Sequence, residues 1–124
     1  MNAMDTQRLI NQRMGLIRSG NRSGNHCGCF RFYVGKKRGV TWEHELRKFQ
    51  ICWELKKRGH EFLTEAIFES GKRADVVDLT RGVIYEILHT ESVKSFKEKI
   101  EEYPREFEIR AVSSTKPFGQ EMLD

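Results

Sequence analysis

The chain has 124 residues, of which 32% are charged and 38% apolar, and its net charge is +4. That length suits one domain around one core. No apolar run approaches the roughly 20 residues of a membrane-spanning helix, and the N-terminus lacks the apolar stretch of a secretory signal. With three cysteines, an odd number, a disulfide framework fits poorly. An intracellular (cytoplasmic), reducing setting with no membrane partner is therefore expected.

Charge is unevenly spread. Residues 1–40 carry eight Lys/Arg and one acid, and residues 41–124 carry fourteen and seventeen. A basic head on a nearly neutral body suits a polyanion such as DNA. Within the head, Gln7 to Ile17 has helical spacing, with Leu9, Ile10, Met14 and Ile17 near one face. The following "RSGNRSGNHCGC" has little to bury and reads as loop. "FRFYV" (30–34) can pair as a strand, and "GKKRG" is a basic turn. Arg22, Arg31, Lys36, Lys37 and Arg38 are the candidate nucleic-acid contacts, with Phe30, Phe32 and Tyr33 able to stack on bases. His26, Cys27 and Cys29 supply too few ligands, at the wrong spacing, for a zinc site unless Cys52 or His60 joins them. Residues 1–40 are thus expected as a basic, Gly/Ser/Asn-rich and partly flexible extension. Residues 41–112 form the core domain, and residues 113–124 a tail.

The body opens with a helix from Thr41, which can cap it, with Glu43 and Glu45 in the first turn. Trp42, Leu46, Phe49 and Trp53 recur at helical spacing and predict a buried stripe. Lys56, Lys57 and Arg58 suit its C-terminal end, and Gly59 the left-handed position after it. Strands are expected over 61–69, 73–79 and 83–89, then a helix from Glu91 to Tyr103 stopped by Pro104. A half-exposed strand over 106–112 follows.

The hairpin 73–89 holds one acid per strand in apolar company, Asp75 and Glu86. With a four-residue loop (79–82), Asp78 opposes Val83 and Asp75 opposes Glu86 on the same face. A three-residue bulged loop, which Gly82 also permits, would send Glu86 to the other face. Two carboxylates with a backbone carbonyl make an oxygen-only site suited to Mg²⁺ or Mn²⁺. Otherwise Asp75 pairs with Lys72 or Arg73, and Glu86 with a helix lysine.

Gly71-Lys-Arg-Ala-Asp75 followed by Tyr85-Glu86-Ile87, in the order helix, three strands, helix, strand, resembles the PD-(D/E)xK nuclease superfamily. The resemblance covers about residues 41–112. It implies a restriction-endonuclease-like α/β fold and metal-dependent hydrolysis of phosphodiester bonds in DNA. It also implies Asp75, Glu86 and the carbonyl of Ile87 as metal ligands, and Glu45 as the helix glutamate that orients water. Leu88 stands where the family has its lysine. Some members carry that lysine on the following helix, where Lys94, Lys97 and Lys99 are available and Lys97 is preferred. Without a replacement cation, the fold would bind nucleic acid or a partner protein without cutting. A homodimer is expected because one short chain with one site offers little surface to grip a duplex.

Overall fold

The computed structural model describes residues 2–22, 30, 41–89 and 93–124, apart from the Val93 side chain. Its elements are α1 (Ala3–Met14), β1 (Ile17–Arg22), α2 (Trp42–Lys57), β2 (Phe62–Phe68), β3 (Arg73–Asp78), β4 (Val83–Leu88), α3 (Val93–Ile100) and β5 (Glu108–Ser113), closed by a 3-10 helix, Gln120–Leu123. The protein is α/β, with one five-stranded mixed sheet in the order β1-β2-β3-β4-β5. Only the β4–β5 pair is parallel. The expectations at 31–34 and 35–39, and those resting on His26, Cys27 and Cys29, lie outside the described residues. No described helix is long and apolar enough to cross a membrane.

Both faces of the sheet are covered, which is why β4 (VIYEIL) reads as a nearly continuous apolar run. On one face Ile10 of α1 meets Leu63, Val77 and Ile84, joined by Tyr103 and Phe107 from the segment after α3. On the other, Ile51 and Leu55 of α2 pack with Val76, Tyr85, Ile87 and Leu123. The helices start where their caps dictate. Asn2 accepts from the Asp5 N–H, and Thr41 from the His44 N–H. Gly59, at φ 74°, takes the left-handed turn after α2.

Two expectations change. The stretch "IRSGNR", read mostly as loop, is the edge strand β1. It is held by pairing with β2 rather than by side-chain burial. Gly20 lies so close to Ala66 that a Cβ there would sit 3.2 Å from the Ala66 Cα, a reason for a glycine-bearing strand. The second change is larger. Trp42, Leu46, Phe49 and Trp53 are not buried; they are 72%, 44%, 45% and 62% exposed. The inward face of α2 instead carries Glu45, Lys48, Ile51 and Leu55. Both stripes have helical spacing. What turns the charged one inward is a partner: Glu65 of β2 meets the Lys48 ammonium at 2.7 Å.

Candidate functional site

The hairpin loop has four residues, and Asp78 pairs with Val83, Val77 with Ile84 and Val76 with Tyr85. The pairing ends there. Asp75 and Glu86 lie one residue beyond it, Asp75 against His44 of α2 and Glu86 against Tyr103, so they do not face each other as the expected cross-strand pair on one side of the sheet. Arg13 of α1 fixes the loop by donating to the carbonyls of Leu79 and Thr80 at 2.6 and 2.8 Å. Its guanidinium fills the space a Cβ on Gly82 would need, and Gly82 has φ 72°.

Regular alternation fails one residue from this register. Leu63 and Ala66, three apart in β2, face the same core, as do Ala74 and Val77 in β3. A strand without a break would put residues three apart on opposite faces. The slips fall at Glu65 and Asp75, which sit across from each other between the paired Thr64–Val76 and Ala66–Ala74. Glu65 is at φ 51°, the only described non-glycine residue with positive φ, a conformation costing about 1–3 kcal/mol that persists only where surroundings impose it.

The slip frees the Asp75 carboxylate from its strand face. Its Oδ2 accepts from the Ile87 N–H at 2.9 Å, bridging the gap where β3 and β4 part. Its Oδ1 is 3.4 Å from His44 Nε2. His44 Nδ1 in turn lies 3.2 Å from Glu45 Oε1. Lys48, fully buried, joins Glu45 at 3.0 Å to Glu65 at 2.7 Å. One turn of α2 therefore delivers an imidazole, a carboxylate and an ammonium to the sheet. Glu86 approaches from the Ile84 side of β4. It shares a hydrogen bond with the Tyr103 hydroxyl, whose single proton goes to the Arg73 carbonyl at 2.9 Å when the protonated Glu86 carboxyl is the donor. The Glu86 carboxyl is within hydrogen-bonding reach of Asp75 and feels its charge.

The two acids have the same chemistry and opposite titration. Burial would raise the Asp75 carboxyl, but His44, the Ile87 N–H and the charge of Lys48 outweigh it and hold Asp75 below the usual carboxylate range. Burial, then the charge of Asp75, pushes Glu86 up to about 8, against the opposing hydrogen bond of Tyr103 and charge of Lys99. His44 is raised: its burial is outweighed chiefly by Asp75. Burial likewise works against the Lys48 ammonium, but Glu65 and Glu45 outweigh it and raise its pKa. The pair thus holds one proton more firmly than two separate carboxyls would, as close carboxylates do.

The expected residues fall in three groups. Asp75, Glu86 and Ile87 meet at the strand fork, and Glu45 reaches it through His44. The Ile87 N–H points to Asp75, so its carbonyl, on the same strand edge, faces the same gap. Lys97 is exposed on α3, whereas half-buried Lys99 is the α3 lysine whose charge reaches Glu86. Arg22 is exposed at the end of β1; Arg31, Lys36, Lys37 and Arg38 lie outside the described residues. The sequence reading missed Lys48, Glu65 and Tyr103. Lys48 is three residues after Glu45, the spacing of a helical ion pair, and that signal was available.

Two carboxylates and a carbonyl edge are all-oxygen donors of the kind Mg²⁺ takes. Among the described residues no group of three or more His, Cys, Asp or Glu side chains is arranged to hold a metal. Comparison of the chain with protein-family models, curated proteins and solved structures finds no match.

Proposed function

We propose that the protein is a nuclease of restriction-endonuclease-like architecture that hydrolyses phosphodiester bonds in DNA with Mg²⁺ or Mn²⁺. The observation that supports this reading is the convergence of Asp75 and Glu86 at the strand fork beside a buried cation, Lys48. Asp75, Glu86 and the Ile87 carbonyl would hold the Mg²⁺ ion, which would supply Lewis-acid stabilisation of the phosphodiester and lower the pKa of an attacking water. The chain's own groups do the rest. Lys48, in the role left open by Leu88, provides fixed positive charge where negative charge develops. Glu45, held by Lys48 and His44, is the α2 carboxylate that reaches the pair, through His44. Tyr103 orients Glu86. Arg22 and the basic residues of the head supply phosphate contacts without sequence preference.

Duplex, single-stranded and branched DNA incubated with Mg²⁺ or Mn²⁺ should be cut, and Asp75→Asn and Glu86→Gln should each abolish cutting while circular dichroism stays unchanged. Cutting that survives both substitutions overturns the assignment.

One observation favours a second reading, a nucleic-acid-binding protein of the same architecture that does not cut. Three of the pair's four carboxyl oxygens already have partners in His44, the Ile87 N–H and Tyr103. DNA binding that falls steeply with salt, with no cleavage under either metal, would decide for it.

A further inference from the structure

The outward face of α2 is apolar along its length. Trp42, Leu46, Phe49 and Trp53 are the large exposed hydrophobics of this helix. Their spacing of four, three and four residues is the d, a, d, a pattern of a two-helix seam. The Phe49 ring stacks with Trp53 at 5.8 Å and has Phe30 of the same chain beside it at 6.2 Å, leaving Trp42, Leu46 and Trp53 as the open part of the stripe. Beside them a groove of about 420 Å³ is lined by Phe49, Trp53, Lys57 and Phe118.

We propose that this face is the interface of a homodimer, with the α2 helices of two copies packed antiparallel about a two-fold axis. Three features select a second copy as the occupant. The first is self-complementarity. An axis passing between Leu46 and Phe49 sets Leu46 against Phe49 of the second copy and Trp42 against its Trp53. Trp42 of one copy then lies over the groove of the other, a knob and a hole carried by the same surface. The second is charge. α2 has Glu43 near its start and Lys56 and Lys57 at its end, so antiparallel helices bring opposite charges within about 6 Å along the axis, a lysine's reach. Their dipoles are also opposed. The third is area. Two tryptophans at these exposures, with Phe49 and Leu46, leave on the order of 500 Å² of apolar surface per copy. Two copies bury about 1,000 Å² before the flanking residues are added, the size at which specific interfaces begin.

Sedimentation equilibrium over a wide concentration range tests this on the full chain. The protein should associate to a dimer, and Trp53→Ser and Trp42→Ser should each weaken the dimer about 30-fold or more, as loss of a central tryptophan does. Glu43→Lys should weaken it several-fold, and adding Lys56→Glu should restore it. Circular dichroism should be unchanged throughout, because Trp42, Trp53 and Lys56 are exposed and Glu43 is only half-buried. A protein that stays monomeric at every concentration overturns the proposal. So does a dimer indifferent to both tryptophan substitutions. A monomer whose tryptophan fluorescence is quenched by an oligothymidylate also overturns it, and would make the stripe a base-stacking platform instead.

Discussion

The two faces of α2 obey opposite rules. Inward, against the sheet, the helix presents Glu45 and a fully buried Lys48; outward it presents two tryptophans, a phenylalanine and a leucine. Ile51 and Leu55, fully buried, complete the inward face, so the departure from an apolar-in, polar-out rule falls at Glu45 and Lys48 and at the exposed aromatics. The inward charges are not alone, however. Lys48 lies between Glu45 and Glu65, and Glu45 is also beside His44, which reaches Asp75. A buried charge without partners costs several kcal/mol, whereas these carry theirs with them. The orientation of this helix follows from its charges finding counter-charges beside the buried Ile51 and Leu55, and its second apolar stripe is left facing outward with Phe30 against Phe49.

The sharpest way to break that contrast is to remove the cation. Lys48→Met keeps the volume but leaves buried Glu45 and half-buried Glu65 without it. Stability in urea should fall by about 3–5 kcal/mol, the cost of breaking a buried pair from one side. A loss under about 1 kcal/mol would mean that the two carboxylates reach solvent or other partners easily, and the inward face would no longer differ in kind from the outward one.

The next test uses the acids that this face addresses. The folded protein holds the Glu86 proton up to about pH 8, well above the usual carboxyl range. A raised acid contributes stability that is fully present below its unfolded value of about 4.3 and is lost as pH rises through the folded value. The wild-type protein should therefore lose on the order of 2–4 kcal/mol between pH 5 and pH 9. His44, also raised, adds a smaller loss of the same sign as pH rises past its own range. Glu86→Gln keeps an acceptor for Tyr103 and removes the titration, so its stability should be nearly flat over that window except for the His44 part. Denaturation midpoints at pH 5, 7 and 9 read both. A Glu86→Gln protein with the full wild-type slope would place the titration elsewhere.

How far the site could be read in advance depends on what kind of rule fixed each part. The order of elements from Trp42 onward follows from periodicity, caps and turn residues, all local and visible. The four-residue loop was one of two open registers, and Arg13, from a helix some 66 residues earlier in the chain, helps to hold it; no local rule contains that contact. The phase slip at Glu65 and Asp75 is invisible to a period-two pattern, because both strands slip together and keep their register. The orientation of α2 was misread for a related reason. Two stripes shared one helical period, and the choice between them lay in Glu65, on a different element. β1 was missed because its glycine and polar residues carry no burial signal, and the close approach of Gly20 to Ala66 exists only once the sheet is assembled.

The smallest expected effect is the most telling for the outward face. In dilute solution, where the chain is monomeric, Trp53→Ser removes a side chain that is 62% exposed and should change stability by less than about 0.5 kcal/mol, as surface substitutions do. Ile51, two residues earlier and fully buried, is the internal reference. Ile51→Ala should cost about 2–5 kcal/mol at any concentration, because it opens a cavity between α2 and Tyr85. Raising the protein concentration should then separate the two variants further, since only Trp53→Ser forfeits what association adds to the wild type. If Trp53→Ser matched Ile51→Ala in dilute solution, the tryptophan would already be covered within one chain, and α2 would have two inward faces rather than one of each kind.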